Sequence, residues 1–104
     1  MGQFVAYANP NKQSNKIYPY LIDVQSNLLD DLKTTVVIPM TGVTWPASTI
    51  TKLCPALTIN GKVYIALTQQ LSAIDKSSLG EPVIDLSSRR HELVAAIDFL
   101  ISGV

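Results

Sequence analysis

The sequence is poor in the residues that build metal sites and covalent catalytic sites. It contains one cysteine, Cys54, and one histidine, His91. An internal disulfide is therefore excluded, and a zinc site made of cysteine and histidine is implausible. The five glycines are scattered singly along the chain, so no glycine-rich loop is available to hold a phosphate group. We expect neither a metal nor a cofactor.

Charge and long apolar runs are also scarce. Only 15% of the residues are charged, and eight basic residues balance eight acidic ones. The chain as a whole therefore lacks the positive field of a nucleic-acid-binding domain. No apolar run is long enough to span a membrane, and the N-terminus lacks the basic and apolar regions of a signal peptide. We expect a cytoplasmic protein that does not contact membranes.

The chain does contain enough apolar residues for one folded domain over residues 1–104. Hydrophobic residues make up 47% of the sequence, whereas disordered chains combine low hydrophobicity with high net charge. Because so few residues are charged, we expect part of the apolar surface to stay exposed. Exposed apolar surface predicts a homo-oligomer or a protein partner.

The first three quarters of the chain are predicted to form strands and loops. Aromatic and β-branched residues favour strands at 4–8, 17–24 and 34–40, and Pro19 suggests an edge position for the second of them. The Asn-Gly pair at the centre of residues 56–67 predicts a hairpin with a type I′ turn.

Polar and turn-forming residues separate these strands. They predict exposed loops at 9–16 and 75–82. Residues 41–53 resemble a loop that could include a short strand. The adjacent Leu28 and Leu29 stand in polar surroundings, so we expect both to be partly exposed.

The last quarter of the chain has the apolar period of an α-helix. We expect Ser87 or Ser88 to cap its start and Gly103 to end it. The outer residues of the stripe, Ile101 and Val104, belong either to the core or to a protein-binding tip. The apolar stripe consists of Leu93, Val94, Ile97, Leu100, Ile101 and Val104. A sheet with one C-terminal helix is a mostly-β, α+β arrangement.

No residue pattern indicates catalysis. Cys54 follows a leucine and precedes a proline, which favours a small buried side chain over a nucleophile. The single histidine is expected on the helix surface. Adjacent acids at Asp30 and Asp31 favour a solvated turn, and adjacent arginines at Arg89 and Arg90 favour a solvated helix face.

Four short segments, in this order, resemble one protein family. Together they are similar to the CcdB-type toxins of plasmid and chromosomal toxin–antitoxin pairs, and the resemblance extends from Gln3 to Val104. The segments are Gln3-Phe4 followed by a Tyr-bearing strand, Ile22-Asp23-Val24-Gln25-Ser26, Val37-Ile38-Pro39, and Asp85-Leu86-Ser87 leading into a helix that ends at Gly103-Val104.

This resemblance implies a fold and a function. The fold would be an SH3-like β-barrel of antiparallel strands with a small extra sheet and one C-terminal α-helix, packed as a homodimer. The protein would be a non-enzymatic toxin that binds the A subunit of DNA gyrase and traps the covalent gyrase–DNA cleavage complex. A partly disordered antitoxin of the CcdA type would neutralise it and repress the operon together with it. The toxin would meet DNA only through the antitoxin complex.

The resemblance also implies binding residues. Two positions depart from the best-known members, which carry Trp where this chain has Ser102 and Asn where it has Asp98. The antitoxin would contact the loop residues Asn9, Asn11, Lys12, Ser14, Asn15 and Lys16. The gyrase-binding residues would be Leu28, Leu29, Asp98, Ile101, Ser102, Gly103 and Val104.

Two other functions remain compatible with the sequence. Endoribonuclease toxins of the MazF type share the SH3-like fold, so the fold alone cannot distinguish them. Such an enzyme needs a basic groove with an Arg or His near the scissile phosphate, and the zero net charge argues against one. The second alternative is a detoxified homologue that binds its antitoxin but no longer binds gyrase.

Overall fold

Three antiparallel strands from the first half of the chain form the centre of the sheet. A computed structural model describes residues 2–42 and 51–103. In it, β1 is Val5–Ala8, β2 is Tyr20–Asp23 and β3 is Thr34–Thr41. Their register places Ala6 opposite Ile22 and Ile22 opposite Ile38. All three side chains are fully buried, so the β-branched and small residues of these strands form one continuous apolar row.

Four shorter strands complete the sheet. They are β4 (Ala56–Ile59), β5 (Lys62–Ala66), β6 (Ser72–Asp75) and β7 (Pro82–Asp85). The order is β4-β5-β3-β2-β1-β7, and β6 pairs with the N-terminal half of β3.

The seven strands curl into an antiparallel half-barrel, which confirms the mostly-β, α+β prediction. The β4–β5 hairpin is the smaller part of this half-barrel, and its strand β5 pairs with the main sheet at Met40 and Thr41 of β3. Its turn has positive φ at both central residues, 53° at Asn60 and 79° at Gly61. The predicted type I′ turn is therefore confirmed.

The C-terminal helix α1 is Arg90–Ser102. It packs against the sheet through the fully buried Leu93 and Ala96, and Leu93 joins the same buried cluster as the central strands. The predicted stripe is too wide, because Val94 and Ile101 point to solvent. The helix ends at Gly103, as predicted.

The predicted serine cap of α1 is wrong. The chain leaves β7 through a 3₁₀ turn, Ser87–Arg89, and the helix begins after it without a side-chain cap. The carboxylate of Asp85 accepts a hydrogen bond from the Ser87 N–H at 2.8 Å, so the acid holds this turn.

Two strand predictions need correction. The second strand begins at Tyr20, because the hydrogen-bonded turns of the preceding loop continue to Ile17 and Tyr18. Pro19 precedes this strand, which lies between β1 and β3 and is not an edge. No residue pattern predicted β7, a four-residue edge strand that starts with a proline and buries none of its side chains fully.

The predicted loop or short strand over 41–53 falls largely on residues 43–50, which lie outside the described residues, as does Val104. The loop over 75–82 includes a 3₁₀ turn, Lys76–Ser78. Within residues 2–42 and 51–103, no helix has the length and apolarity to cross a membrane.

Candidate partner-binding surfaces

A turn between β2 and β3 exposes three leucines. The 3₁₀ turn Asn27–Leu29 starts where the Leu28 N–H donates to the Ser26 side chain at 3.2 Å. Leu28 is 94% exposed, Leu29 47% and Leu32 49%. We call residues 26–32, which carry these leucines, the leucine turn. The sequence predicted the exposure of Leu28 and Leu29 but missed Leu32, which follows two acidic residues in the same polar surroundings. Exposed apolar side chains of this kind are candidates for burial by a protein partner.

Hydrogen bonds from two directions hold the leucine turn. On one side, the Gln3 N–H donates to Asn27 Oδ1 at 2.9 Å, and Gln3 Nε2 donates to the Val24 carbonyl at 3.2 Å. On the other side, Lys76 Nζ donates to the Asp30 carbonyl at 2.6 Å. The leucines therefore stand on a backbone that is fixed by the N-terminal segment and by the turn after β6.

A second exposed apolar site, separate from the leucine turn, lies at the end of α1. Ile101 is 77% exposed. The Ser102 hydroxyl donates to the Asp98 carbonyl at 2.7 Å, and the Gly103 N–H donates to the Phe99 carbonyl at 3.0 Å. Gly103 has φ of 74°, the left-handed conformation that glycine adopts most easily at a helix end. We call Asp98 and residues 101–103 the helix tip.

The leucine turn and the helix tip are positioned by different elements. The leucine turn is bonded to Gln3, and the ring of the next residue, Phe4, lies 5.8 Å from the guanidinium of Arg90 at the start of α1. Ile101 lies eleven residues later, which is about 16 Å along the helix axis. The residues assigned to gyrase by resemblance therefore form two groups, one on the leucine turn and one at the end of α1.

The 9–16 loop is held by its own polar side chains. Asn9 Nδ2 donates to Ser14 Oγ at 3.1 Å and to the Tyr18 carbonyl at 2.8 Å. Asn11 Oδ1 accepts from the Gln13 N–H at 2.9 Å. Asn9, Asn11 and Ser14 therefore have an internal role that the sequence did not indicate. Asn15 is half-buried, while Lys12 and Lys16 are exposed as predicted.

A groove of about 280 Å³ lies beside this loop. Its polar wall comes from the loop, and its apolar floor comes from β2, β3 and β6. The lining residues are Asn9, Asn11, Ser14, Tyr18, Leu21, Pro39, Ile74 and Ser78.

The family model of the CcdB protein matches residues 3–103, nearly the whole chain.

This chain belongs to the CcdB family.

Membership makes it a toxin of a toxin–antitoxin system and implies an antitoxin partner. A solved crystal structure of an Mtb toxin is also similar to it, with a TM-score of 0.70 and 15% sequence identity. The similarity covers 92% of this chain and 99% of that chain. At this identity the likeness shows a shared fold.

Cys54 of this CcdB-family toxin lies in the core, as the sequence predicted. Its side chain is 5% exposed, and its thiol donates to Gln69 Oε1 at 3.1 Å. Burial raises the pKa of the Cys54 thiol, which disfavours the thiolate that a nucleophile requires. The geometry supports a structural thiol.

The two arginines at the start of α1, Arg89 and Arg90, contact other residues of the same chain. Arg89 pairs with Glu92 and also donates to the Ala56 carbonyl at 3.0 Å. Arg90 lies against the Phe4 ring. Within the described ranges, no group of three His, Cys, Asp or Glu side chains could hold a metal ion.

The stability of the CcdB-family fold is expected to fall in acid. The N–H and hydroxyl of Ser87 lower the pKa of the Asp85 carboxyl, and the hydrogen bonds from Arg89 lower the pKa of Glu92. Since both pKa values are lower in the folded chain than in the unfolded chain, their contribution is complete above about pH 5, where both groups are ionised even in the unfolded chain. It is lost as the pH falls through the folded values.

Urea midpoints measured between pH 7 and pH 2 test this expectation. In the double variant Asp85→Asn, Glu92→Gln, the urea midpoint should fall less steeply between pH 5 and pH 2 than in the wild type. Near pH 7 its midpoint should be lower than that of the wild type. An acid side as steep as the wild type's would contradict the assignment.

Proposed function

We propose that this CcdB-family toxin binds the A subunit of DNA gyrase as a homodimer and traps the gyrase–DNA cleavage complex. The observation that carries the proposal is the exposure of Leu28 and Ile101 at positions where the family contacts gyrase. Each is an apolar side chain that would leave water on binding. Burying one leucine contributes about 2 kcal/mol, so two such groups per subunit are a substantial anchor.

The proposed mechanism requires no catalytic residue in the toxin. Gyrase itself forms the covalent bond to DNA, and a protein that binds the cleaved form more tightly than the resealed form shifts the equilibrium toward cleavage. The leucine turn and the helix tip, completed by Val104, supply the binding surface. Gyrase acts on cytoplasmic DNA, so this function is cytoplasmic.

Two features of this chain distinguish its proposed contact from that of the best-known members. Ser102 has no aromatic face for cation–π contact, and its hydroxyl is already bonded to the Asp98 carbonyl. The carboxylate of Asp98 is exposed and would pair with a basic group of gyrase. The contact would therefore depend on apolar burial and charge.

The homodimer is supported by the low charge and by the apolar side chains left at the surface. Beyond the two proposed gyrase contacts, Val63 and Val94 are exposed in the single chain. Light scattering at low micromolar concentration should give about twice the 11.3 kDa of one chain. A monomer at that concentration would contradict this part of the proposal.

A gyrase supercoiling assay tests the proposed target. The purified toxin should inhibit supercoiling and should bind the isolated A subunit. Incubation with total RNA in parallel tests the endoribonuclease alternative, since only a ribonuclease would generate fragments. A protein that binds its antitoxin but neither inhibits gyrase nor cleaves RNA would be the detoxified homologue.

We propose that the antitoxin binds the 9–16 loop and the groove beside it. An acidic, partly disordered segment of the CcdA type would fold on contact and would repress the operon as a complex with the toxin. Lys12 and Lys16 are exposed, and neither ammonium has a hydrogen bond or ion pair within residues 2–42 and 51–103. They would attract the acidic segment, while Asn9, Asn11, Ser14 and Asn15 shape the contact.

Reversing the charge of Lys12 and Lys16 should slow association with the antitoxin by about tenfold at low salt. The melting temperature should barely change, because both side chains are exposed. Stopped-flow mixing measures the rate. The matched control reverses Lys33 and Lys62, which lie outside the loop. Equal slowing in both double variants would indicate a general charge effect and would remove the loop from the site.

A further inference from the structure

Lys76 connects the leucine turn to the turn that follows β6. It lies in the 3₁₀ turn Lys76–Ser78 directly after β6. The Asp75 carboxylate fixes this turn by accepting from the Ser77 N–H at 3.0 Å and from the Ser77 hydroxyl at 2.9 Å. From this base, Lys76 forms two bonds to the neighbouring loop. Its backbone N–H donates to the Lys33 carbonyl at 2.9 Å, and its ammonium donates to the Asp30 carbonyl at 2.6 Å.

The leucine turn depends on such external support. Its internal bonds are short-range: the Leu29 N–H donates to the Ser26 carbonyl at 3.0 Å, and the Leu32 N–H donates to the Leu29 carbonyl at 3.0 Å. Short runs of 3₁₀ bonds are marginal by themselves. The exposed leucines also contribute little burial that would hold the turn. The bond from the Lys76 ammonium to the Asp30 carbonyl, which we call the clamp, reaches the turn between Leu29 and Leu32.

We propose that Lys76 is a positioning residue of the gyrase-binding surface and that Leu32 belongs to this surface together with Leu28 and Leu29. The inference rests on the proposed function. By holding the backbone at Asp30, Lys76 keeps the three side chains in one arrangement before the partner arrives. A surface that is already ordered loses less conformational entropy on binding.

The measurable consequence is an affinity that depends on Lys76 without direct contact to gyrase. When only a fraction of molecules is in the binding conformation, the apparent dissociation constant rises in inverse proportion to that fraction. If loss of the clamp leaves the turn ordered in a fifth of the molecules, binding weakens by about fivefold. The backbone bond to Lys33 remains in such a variant, so the fold is retained.

The test compares Lys76→Met with Lys33→Met. Both changes remove one positive charge near the leucine turn, but the Lys33 ammonium has no bonded partner within residues 2–42 and 51–103. Titration calorimetry should show about fivefold weaker binding of Lys76→Met to the gyrase A subunit and near-wild-type binding of Lys33→Met. Lys76→Arg, which can still donate to the Asp30 carbonyl, should restore most of the affinity. Hydrogen exchange at the Leu29 and Leu32 amides should quicken in Lys76→Met alone.

A double-mutant cycle separates positioning from general destabilisation. With Leu28, Leu29 and Leu32 all changed to Ala, adding Lys76→Met should have no further effect on affinity, since the clamp acts through these leucines. A full fivefold loss in that background would overturn the inference, as would unchanged affinity of Lys76→Met in the wild-type background. A wild type that does not bind the A subunit would overturn the proposed function itself. Leu32→Ala alone should weaken binding, and wild-type affinity would exclude Leu32 from the surface.

Discussion

Changing Leu28 to Asp is expected to weaken binding to the gyrase A subunit by about a hundredfold or more, which corresponds to about 2.7 kcal/mol. Leu28 is 94% exposed in the free chain, so nearly all of its side chain is available for burial by a partner. The change removes that apolar burial and places a carboxylate in the contact. An unpaired charge that loses its water adds a further cost.

The same substitution should leave the fold intact. Surface changes away from special features usually alter the free energy of unfolding by less than about 0.5 kcal/mol, and Leu28 is bonded through its backbone. Ile17→Asp is the matched control, because Ile17 is an exposed apolar residue on another loop. Surface plasmon resonance with immobilised A subunit measures both variants. Equal losses would indicate a nonspecific effect of the new charge, and no loss for Leu28→Asp would place the contact elsewhere.

Deleting residues 102–104 is expected to abolish gyrase binding and to cost little stability. The deletion removes part of the helix tip together with Val104. The fold loses the bond from the Ser102 hydroxyl to Asp98 and the bond from the Gly103 N–H to Phe99. Exposed hydrogen bonds of this kind contribute about 1 kcal/mol each at most. The buried face of α1, with Leu93 and Ala96, remains complete.

A control for the deletion must lower stability without touching the tip. Gly61→Ala does so, because Gly61 has φ of 79° and an added Cβ meets nothing within 4 Å. The cost is backbone strain of about 1 kcal/mol at the hairpin turn. The control should retain gyrase binding at a similar melting temperature. A truncated protein that still inhibits gyrase would contradict the assignment of the tip, and a truncated protein that unfolds would make the tip structural.

Replacing Ser102 with Trp tests the same surface through an expected gain in affinity. Ser102 is exposed at the end of α1, so the indole can be accommodated without repacking. A cation–π contact with a basic group of gyrase contributes about 1–2 kcal/mol when it is desolvated. We expect correspondingly tighter binding. An unchanged affinity would show that residue 102 does not face gyrase.

Local sequence signals predicted the parts of the fold that depend on local chemistry. The Asn60-Gly61 turn is specified by its need for positive φ, and β3 by its run of β-branched residues. The wrong strand predictions depend on contacts that the sequence of the strand alone does not indicate. Whether residues 17–19 continue a strand depends on the turns that hold Ile17 and on the bond from the Asn9 N–H to the Pro19 carbonyl. The edge strand β7 exists because β1 offers it a partner.

For the candidate surfaces, the sequence predicted the exposure of the leucines but not the contacts that hold them. Exposure of Leu28 follows from a leucine pair in polar surroundings, but its assignment to a target came from the family resemblance. The clamp by Lys76 could not be predicted, since it joins residues 46 positions apart. The internal role of Asn9 and Ser14 was also hidden, because polar residues in a loop look alike whether they face solvent or each other.

The central claim is that the toxin traps cleaved DNA on gyrase, and the amount of linear plasmid measures it directly. Gyrase, supercoiled plasmid and ATP are incubated with the toxin, and the reaction is stopped with detergent and protease. We expect linear DNA to accumulate with toxin concentration, to disappear when cognate antitoxin is added first, and to be absent for Leu28→Asp. A folded, dimeric toxin that leaves the plasmid without double-strand breaks at concentrations saturating for the A subunit would contradict the claim.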